Sequence, residues 1–412
     1  MIAIRGNIEL KDDIELTAHL ASLLRMENVG VLLGAGASVG CGGKTMAQLW
    51  SDFEAHSAEE LSWLIANKYV APRGMPGIEP KTDAPNVERL LDTLAISIAE
   101  WERSKEASLA PAKKARAAIY RALVRASVLD QKWWETPEGV GHQEGRLASH
   151  RLLLQRLTSA RQPGQAAPWL FTTNYDLSIE WAADSIDLNL INGFMGLHSR
   201  RFSPQSFDLG FRNVQAKGEA QFGSYNVYLA KLHGSLTWKE VSGQFYEIQA
   251  TEARQEIQSF TDGKTDDLAF TVLPSAAKYI QTVGFVLGEL FRRYSEFLAR
   301  PQSALLVSGY GFGDEHINRL LVSALLNPTF QLVVYLPAFS GPDSISALPI
   351  AAQNLLSLES PRVTFVGGGP DSYFDGFVSH LPEPSIYDDD LRKLEERLRG
   401  FTSEKGEAGE GA

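Results

Sequence analysis

The sequence predicts an α/β fold, a Rossmann-like parallel sheet with a large helical insertion. The first observation is a series of short apolar segments, several of them continuously apolar, as in strands that are buried on both faces. The second is the helical spacing of apolar residues between these segments, which is typical of a parallel sheet with helical crossovers. The third is that glycines or polar side chains follow four of the segments, where a parallel sheet binds its ligands.

Six segments carry the strand pattern. Several consist of consecutive rather than alternating apolar residues, which predicts that helices cover both faces of the sheet. The six segments are residues 29–33, 168–172, 227–232, 304–307, 331–336 and 363–366.

A long stretch with few strand signals separates the first two segments. Helical spacing recurs there, at residues 90–100, 107–128 and 145–160. The stretch is therefore predicted to be a helical insertion, and the last residues of the chain, which contain few apolar side chains, are predicted to be disordered. The predicted units are a Rossmann-like domain of residues 1–45 and 165–380, a helical insertion of residues 46–164, and a C-terminal helix with a disordered tail at residues 381–412.

The second half of the chain also contains weaker patterns. Residues 193–226, rich in Gly, Ser, Phe and Arg, are predicted to be a long loop, and short β-like pieces follow at 235–241, 244–248 and 268–273. Residues 276–299 have the spacing of an amphipathic helix.

Composition excludes several classes of function. The net charge of −11 argues against direct nucleic-acid binding, which needs Lys and Arg to displace phosphate counterions. The single cysteine, Cys41, excludes an internal disulfide and any zinc site built on several cysteines. The N-terminal residues lack the apolar region of a signal peptide, and no apolar run has the length of a membrane span. We therefore expect a cytoplasmic protein without a direct membrane contact.

The first glycine-rich motif, GAGASVGCGGKT, follows the strand pattern at residues 29–33. Glycines allow backbone N–H groups to approach a phosphate, and the helix expected from Met46 would direct its N-terminus toward it. Two standard fingerprints nearly match: Val39 replaces a glycine of the dinucleotide pattern, and Ser38 replaces a glycine of the P-loop pattern that ends at residues 43–45. A P-loop-like NTPase and a tight turn without a ligand both stay open here.

Two further motifs place polar side chains after predicted strands. Asn174 and Asp176 in FTTNYD are suited to bind a ribose or a carboxamide, although the same residues are suited to cap the next helix. His233 in LHGS follows another strand, and an imidazole at this position is suited to general-base chemistry near neutral pH. A structural histidine is the alternative.

The fourth motif is VSGYGFGD at residues 307–314. Ser308, Gly309 and Gly311 are candidate contacts to a phosphate or a ribose, and Asp314 is a candidate N-cap of the following helix. Because the carboxyl ends of parallel strands lie at one edge of the sheet, the four motifs are predicted to meet in one crevice.

Taken together and in this order, GAGAS, TTNYD, LHG and SGYGFGD resemble the sirtuin-like (silent information regulator) superfamily. The resemblance is greatest to its zinc-less bacterial branch of NAD-consuming antiphage defence proteins. It covers roughly residues 25–370, with long interior stretches unmatched.

The resemblance implies a role for each matched residue. Asn174 and His233 would be catalytic, with Asn174 on the nicotinamide ribose and His233 as the general base. Asp176 would contact the carboxamide, and Thr173 stands where the family has a glutamine. Lys44 stands near a family proline that is missing here. The NAD+ diphosphate would be cradled by Gly34, Ala35, Gly36 and Ser38, and the adenosine half would be held by Ser308, Gly309 and Asp314.

The cysteine count decides between two activities within this resemblance. Sirtuin deacylases carry a four-cysteine zinc module, and Cys41 alone cannot form one. The resemblance therefore implies no zinc and a hydrolase that converts its substrate NAD+ to nicotinamide and ADP-ribose. Depletion of NAD+ would make it an effector of abortive infection. The alternative is a module that binds NAD or ADP-ribose as a sensor, without turnover.

The resemblance also implies partners. We expect a homo-oligomer and an activator in trans, such as a HerA-type hexameric ATPase. His198, Arg200 and Arg201 lie in the predicted loop at 193–226, which either closes over the ligand or is simply solvated.

Overall fold

The computed structural model describes residues 1–73, 81–82, 85–129, 145–161, 164–212, 214–215, 217, 226–266 and 283–383. The predicted β-like piece at 268–273 lies outside the described residues. So do the first part of the predicted helix at 276–299 and most of the predicted C-terminal unit.

The centre of the fold is a nine-stranded sheet with the order β2-β1-β15-β14-β13-β3-β6-β10-β7. The strands from β15 to β7 pair in parallel, and β1 and β2 add an antiparallel edge. The α/β prediction is therefore confirmed. The strands are β1 (Ile2–Arg5), β2 (Ile8–Leu10), β3 (Asn28–Leu33), β6 (Trp169–Thr172), β7 (Asn189–Ile191), β10 (Asn226–Lys231), β13 (Ser303–Ser308), β14 (Gln331–Tyr335) and β15 (Val363–Gly367).

The register of the four central strands positions the site. Ser308 pairs with Leu33, Leu33 with Thr172, and Thr172 with Lys231. The four strands therefore end level with one another, and the motif that follows each strand starts at the same edge of the sheet.

Helices cover both faces of this sheet. On β3, Leu32 packs toward one face and Val31 toward the other, as the strand period of two requires. Gly30 permits the close approach of one covering helix, because a Cβ atom there would lie 2.6 Å from the Phe297 ring. The helices outside the insertion are α1 (Asp13–Leu24), α7 (Ser178–Asp184), α8 (Ala250–Thr261), α9 (Val283–Ala299), α10 (Glu315–Ala324), α11 (Ile350–Ser357) and α12 (Phe374–His380).

The described part of the predicted insertion contains five helices and the short strands β4 (Pro72–Arg73) and β5 (Lys81–Thr82). Four of the helices form a separate apolar core that includes Trp50, Leu91 and Ala122, and Phe260 of α8 packs into the same core. The fifth packs its leucines on the sheet instead. The five are α2 (Met46–His56), α3 (Ala58–Ala66), α4 (Val87–Ser104), α5 (Leu109–Ser127) and α6 (Ala148–Ser159).

A second, four-stranded sheet corrects the prediction of a loop at 193–226. Its order is β11-β12-β9-β8. β8 and β9 are too short to show an alternating pattern, and β9 pairs with a strand far along the chain. The strands are β8 (Phe194–Met195), β9 (Arg200–Phe202), β11 (Trp238–Val241) and β12 (Gln244–Glu247), and the last two confirm the β-like pieces predicted at 235–241 and 244–248.

No helix in the described part of the chain is both long enough and apolar enough to cross a membrane.

Candidate active site

A cleft opens beyond the carboxyl ends of β3, β6 and β10. It encloses about 650 Å³, part of it open to solvent. One wall consists of residues from the strand-end motifs, and the other comes from helices α2, α4 and α5 of the predicted insertion. The polar wall includes Ser38, Thr173, Asn174, Asp176 and His233, and the opposite wall includes Met46, Leu49, Glu88, Leu91 and Leu123.

The first and fourth glycine motifs pack directly against each other. The Gly34 N–H donates to Ser308 O at 3.1 Å, and the Gly36 N–H donates to Gly309 O at 2.9 Å. A Cβ atom on Gly36 would lie 2.7 Å from the Gly309 Cα, and Gly309 has a φ of +68°. These glycines are therefore needed for turn-to-turn packing, and the N–H groups of Gly34 and Gly36 are already used. Of the predicted diphosphate cradle, Ala35 and Ser38 line the cleft.

A chain of hydrogen bonds orients Asn174. Its Nδ2 donates to Gly34 O at 3.0 Å and to Ser38 Oγ at 2.9 Å. Because a carbonyl oxygen only accepts, the Gly34 contact fixes which amide atom is the nitrogen. Within the described residues, the carbonyl oxygen Oδ1 of Asn174 has no hydrogen-bond partner, so it can accept a hydrogen bond from a substrate hydroxyl or a water.

Asp176 lines the cleft and anchors this chain of hydrogen bonds. Its Oδ2 accepts from Ser38 Oγ at 2.7 Å, and its Oδ1 accepts from the Ser178 N–H and hydroxyl at 3.0 and 2.6 Å. With both oxygens engaged, Asp176 directs the Ser38 hydroxyl, which in turn accepts from Asn174. Both carboxylate oxygens of Asp176 are therefore already engaged, and neither is left without a partner for the predicted contact with a carboxamide.

A buried lysine that sequence reasoning missed supports the same turn. Lys231, 2% exposed, donates from Nζ to Asp176 O and to Glu180 Oε1, the latter at 2.7 Å. Its only signal in the sequence is a lysine within an otherwise apolar strand, which implies a buried partner.

His233 is held by the fourth motif. Its Nε2 lies 2.8 Å from Asp314 Oδ2, and Asp314 Oδ1 accepts from the N–H groups of His316 and Ile317 at 2.7 and 3.1 Å. Burial raises the pKa of Asp314, but the hydrogen bonds from His233 and the backbone outweigh it, so the pKa lies below its usual value. An ionised Asp314 only accepts, so Nε2 carries a proton and Nδ1 is the basic nitrogen.

The structure supports one of the two predicted roles of Asp314, the helix N-cap, over the other, the adenosine contact. The prediction that it caps a helix is confirmed at α10. Its carboxylate, however, contacts His233 and the backbone with both oxygens, so the oxygens that an adenosine ribose would need are already engaged. Among its neighbours, Ser308 is fully buried, and its Oγ has no hydrogen-bond partner within the described part of the chain.

Sequence reasoning also missed Glu88, which lies in the first turn of α4. Its Oε1 is 3.5 Å from Nδ1 of His233, and its side chain is 37% exposed. Burial lowers the pKa of His233, but the hydrogen bond to Asp314 and the charges of Glu88 and Asp314 raise it above its usual value. No local pattern identifies Glu88, because an acidic residue in a first helical turn is common for helix stability alone.

Glu88, His233 and Asp314 are the one group of candidate metal ligands in the described residues, with donor atoms within 4.8 Å of one another. The two carboxylates approach different nitrogens of the ring, and a single ion cannot bind both nitrogens. The three side chains therefore fit a hydrogen-bonded triad better than a metal site.

Cys41 does not fit the zinc site of sirtuin deacylases. It is buried, and its Sγ donates to Arg146 O at 3.1 Å. Burial, together with the charges of Asp176 and Asp375, raises the pKa of Cys41 to about 12, so the neutral thiol persists and a thiolate ligand is disfavoured.

Of the other predicted residues, Lys44 and Arg200 pair with acidic side chains that do not line the cleft. Lys44 Nζ donates to Asp52 Oδ1 at 2.7 Å, so α2 holds the ammonium that a P-loop would direct to phosphate. Arg200 pairs with Glu247 within the second sheet, and His198 is exposed there. Neither Arg200 nor Arg201 lines the cleft.

A comparison with known protein families gives a match in the part of the chain that carries most of these residues. Residues 168–353 match the family model of the SIR2-like domain. The search of curated proteins finds no match. The matched range contains Asn174, Asp176, His233 and Asp314, which means that it includes most of the polar wall of the cleft. Residues 168–353 are therefore similar to a SIR2-like domain, and SIR2-like domains bind NAD+.

Proposed function

We propose that the protein is an NAD+ glycohydrolase that converts NAD+ and water to nicotinamide, ADP-ribose and a proton. The observation that carries this proposal is the pairing, in one cleft, of an oriented Asn174 carbonyl oxygen with the basic Nδ1 of His233. This pairing supplies an acceptor for a ribose hydroxyl or a water and a base for the proton that hydrolysis releases.

The chemistry needs little beyond this pair. The bond between ribose C1′ and the pyridinium nitrogen breaks, and its electron pair neutralises the departing nicotinamide. A water oxygen bonds to C1′ of the oxocarbenium-like ribose, and His233 Nδ1 takes the proton that the water loses, directly or through a ribose hydroxyl. Asn174 Oδ1 orients the hydroxyl or the water, so that the reacting atoms are held together.

The opposite wall suits the leaving group. Leu49, Leu91 and Leu123 present apolar side chains to the cleft, facing the polar strand ends. An aromatic ring without charge, such as nicotinamide after bond cleavage, is compatible with that surface, and an apolar wall also limits the access of bulk water.

Product analysis tests the proposal. The purified protein is incubated with NAD+, and nicotinamide and ADP-ribose are quantified by chromatography. We expect N174A and H233A to lose activity by about 10²-fold or more, because each removes a group that acts on the reacting atoms. The exposed residues Asn354 and His56 provide matched controls, N354A and H56A. No nicotinamide from the wild type, assayed both alone and with the product of the neighbouring gene, or full activity in both cleft variants, would overturn the proposal.

A sensor module without turnover is the second candidate. The separation of 3.5 Å between Glu88 and Nδ1 of His233 favours it, because no water fits between the two atoms. This candidate predicts ADP-ribose binding by calorimetry with no product. A P-loop-like NTPase is less well supported, since Lys44 is paired with Asp52.

We propose further that the activity is that of an antiphage effector which depletes NAD+, acts as a homo-oligomer and is gated by a partner such as a HerA-type ATPase. The order of the four motifs supports this reading. Light scattering measures the oligomer, and NAD+ turnover with and without the product of the neighbouring gene measures the gating. An NAD+ turnover rate that is the same with and without that product would contradict the proposed gating.

A further inference from the structure

Among the described residues that line the cleft, Glu88 is the one carboxylate from the predicted insertion, and neither the four motifs nor the proposed function assigns it a role. The N-terminus of its helix is fixed to the fourth motif. Asn86, the N-cap of α4, accepts from the Arg89 N–H at 3.0 Å and donates to Gly313 O at 3.1 Å. Glu88 is therefore held beside Asp314 and His233 by a defined contact between the insertion and the sheet domain.

We propose that Glu88 is a positioning residue for the hydrolysis, which completes an Asp314–His233–Glu88 triad across the two walls of the cleft. The proposal rests on the proposed function, because Glu88 acts through the base of that reaction. It adds that the insertion contributes to the chemistry as well as to the shape of the cleft.

The geometry of the imidazole carries the proposal. Asp314 engages Nε2 at 2.8 Å, and Glu88 faces Nδ1 at 3.5 Å, which is within ion-pair distance but longer than a good hydrogen bond. Nδ1 of a neutral imidazole has only a lone pair to offer, which a carboxylate does not stabilise. Once Nδ1 takes a proton from water, it becomes a charged donor directed at Glu88. Glu88 thus stabilises the state that forms during the reaction more than the resting state.

The charges around Glu88 and His233 also favour the protonated form of His233. The carboxylates of Asp314 and Glu88 flank the imidazole ring, and the Tyr175 ring lies 6.4 Å from it. Asp92 and His316 are charged neighbours of Glu88. Burial is the main cause of the raised pKa of Glu88, and Asp314 and Asp92 add to it while His233 and His316 oppose it. The imidazolium between two carboxylates is the cation that relieves this repulsion, in agreement with the raised pKa of His233.

The alternative interpretation of the contact between Glu88 and His233 is an inhibitory block of Nδ1, which we call the lock. Glu88 also occupies the side of Nδ1 from which a water would approach. If its main effect were to block that approach, removal of its charge would speed up hydrolysis.

Steady-state kinetics over a pH series distinguish the two readings. We expect E88Q to lower kcat by about 10–100-fold with a smaller change in KM, and E88D to retain more activity than E88Q because it keeps the charge. The base must be neutral, so activity rises with pH through the pKa of His233. Loss of Glu88 lowers that pKa, and the acid limb therefore moves to lower pH. E100Q, on the exposed face of the same helix, is the matched control.

A second readout does not depend on turnover. The imidazole ¹⁵N shifts of His233, assigned with H233A, give its pKa in the wild type and in E88Q, and we expect a decrease of about one unit. Thermal unfolding and ADP-ribose calorimetry test whether E88Q is folded and binds ADP-ribose.

The outcomes separate the two proposals. A wild type that releases no nicotinamide either alone or with the product of the neighbouring gene ends the proposed function, whereas an unchanged pKa of His233 in E88Q ends the triad whatever the activity. An active wild type with an equally active E88Q and an unmoved acid limb overturns the triad alone. A faster E88Q also overturns it, in favour of the lock.

Discussion

The two walls of the cleft differ in how their positions arise. On the sheet side, Asn174 and His233 each follow a strand, and the level ends of β6 and β10 bring them to one edge. On the insertion side, Glu88 reaches His233 because α4 packs in an apolar core that the insertion helices share with Tyr175 and Trp181, and because its N-cap Asn86 contacts Gly313. Strand ends therefore supply the groups of the proposed chemistry, while the packing of the insertion sets their electrostatic surroundings.

The largest expected effect is on the sheet side, in the orientation of His233. Asn is as good an N-cap as Asp, so D314N keeps helix α10 capped. Its amide nitrogen turned toward His233 would favour the tautomer with the proton on Nδ1, which removes the base. We expect about 10²–10⁴-fold lower kcat in the nicotinamide assay. An active D314N with an unchanged Nε2–H tautomer by ¹⁵N spectroscopy would contradict this assignment.

A smaller effect is expected for the chain that orients Asn174. S38A removes the acceptor of Asn174 and the donor to Asp176, while Asn174 keeps its bond to Gly34 O. We expect roughly tenfold lower kcat by the same assay, because the amide is less well fixed. S308A is the comparison: its Oγ is buried and unpartnered among the described residues. Loss of ADP-ribose affinity in S308A would instead support the prediction that Ser308 contacts the adenosine half.

The smallest effect is expected where the insertion meets the sheet domain. N86A loses both the helix cap and the contact with Gly313, which costs about 1 kcal/mol of unfolding free energy and a few-fold in activity. N86S keeps a capping oxygen but is too short to reach Gly313. Chemical denaturation and the nicotinamide assay together separate the two roles. Equal activity of the wild type and N86S would show that the cap alone positions Glu88.

The central strands of the fold were predictable from consecutive residues. Six predicted strands occur within one or two residues of the predicted bounds, because continuous apolar runs bounded by turns depend on local sequence. The antiparallel edge formed by β1 and β2 was missed. The second sheet was missed in part. Its strands β8 and β9 are too short to show an alternating pattern, and β9 pairs with β12, which lies far along the chain.

The candidate site was predictable only in its outline. The sequence alone determined that Asn174, His233 and the two glycine motifs follow strands of a parallel sheet and so share one edge, and that one cysteine cannot build a zinc module. Tertiary structure decided that Gly36 and Gly309 serve turn-to-turn packing, that Asp176 and Asp314 orient other side chains, and that Glu88 faces the imidazole. The physical reason is distance along the chain: strand and turn propensities act between neighbours, whereas hydrogen-bond partners and buried charges are chosen when remote segments pack.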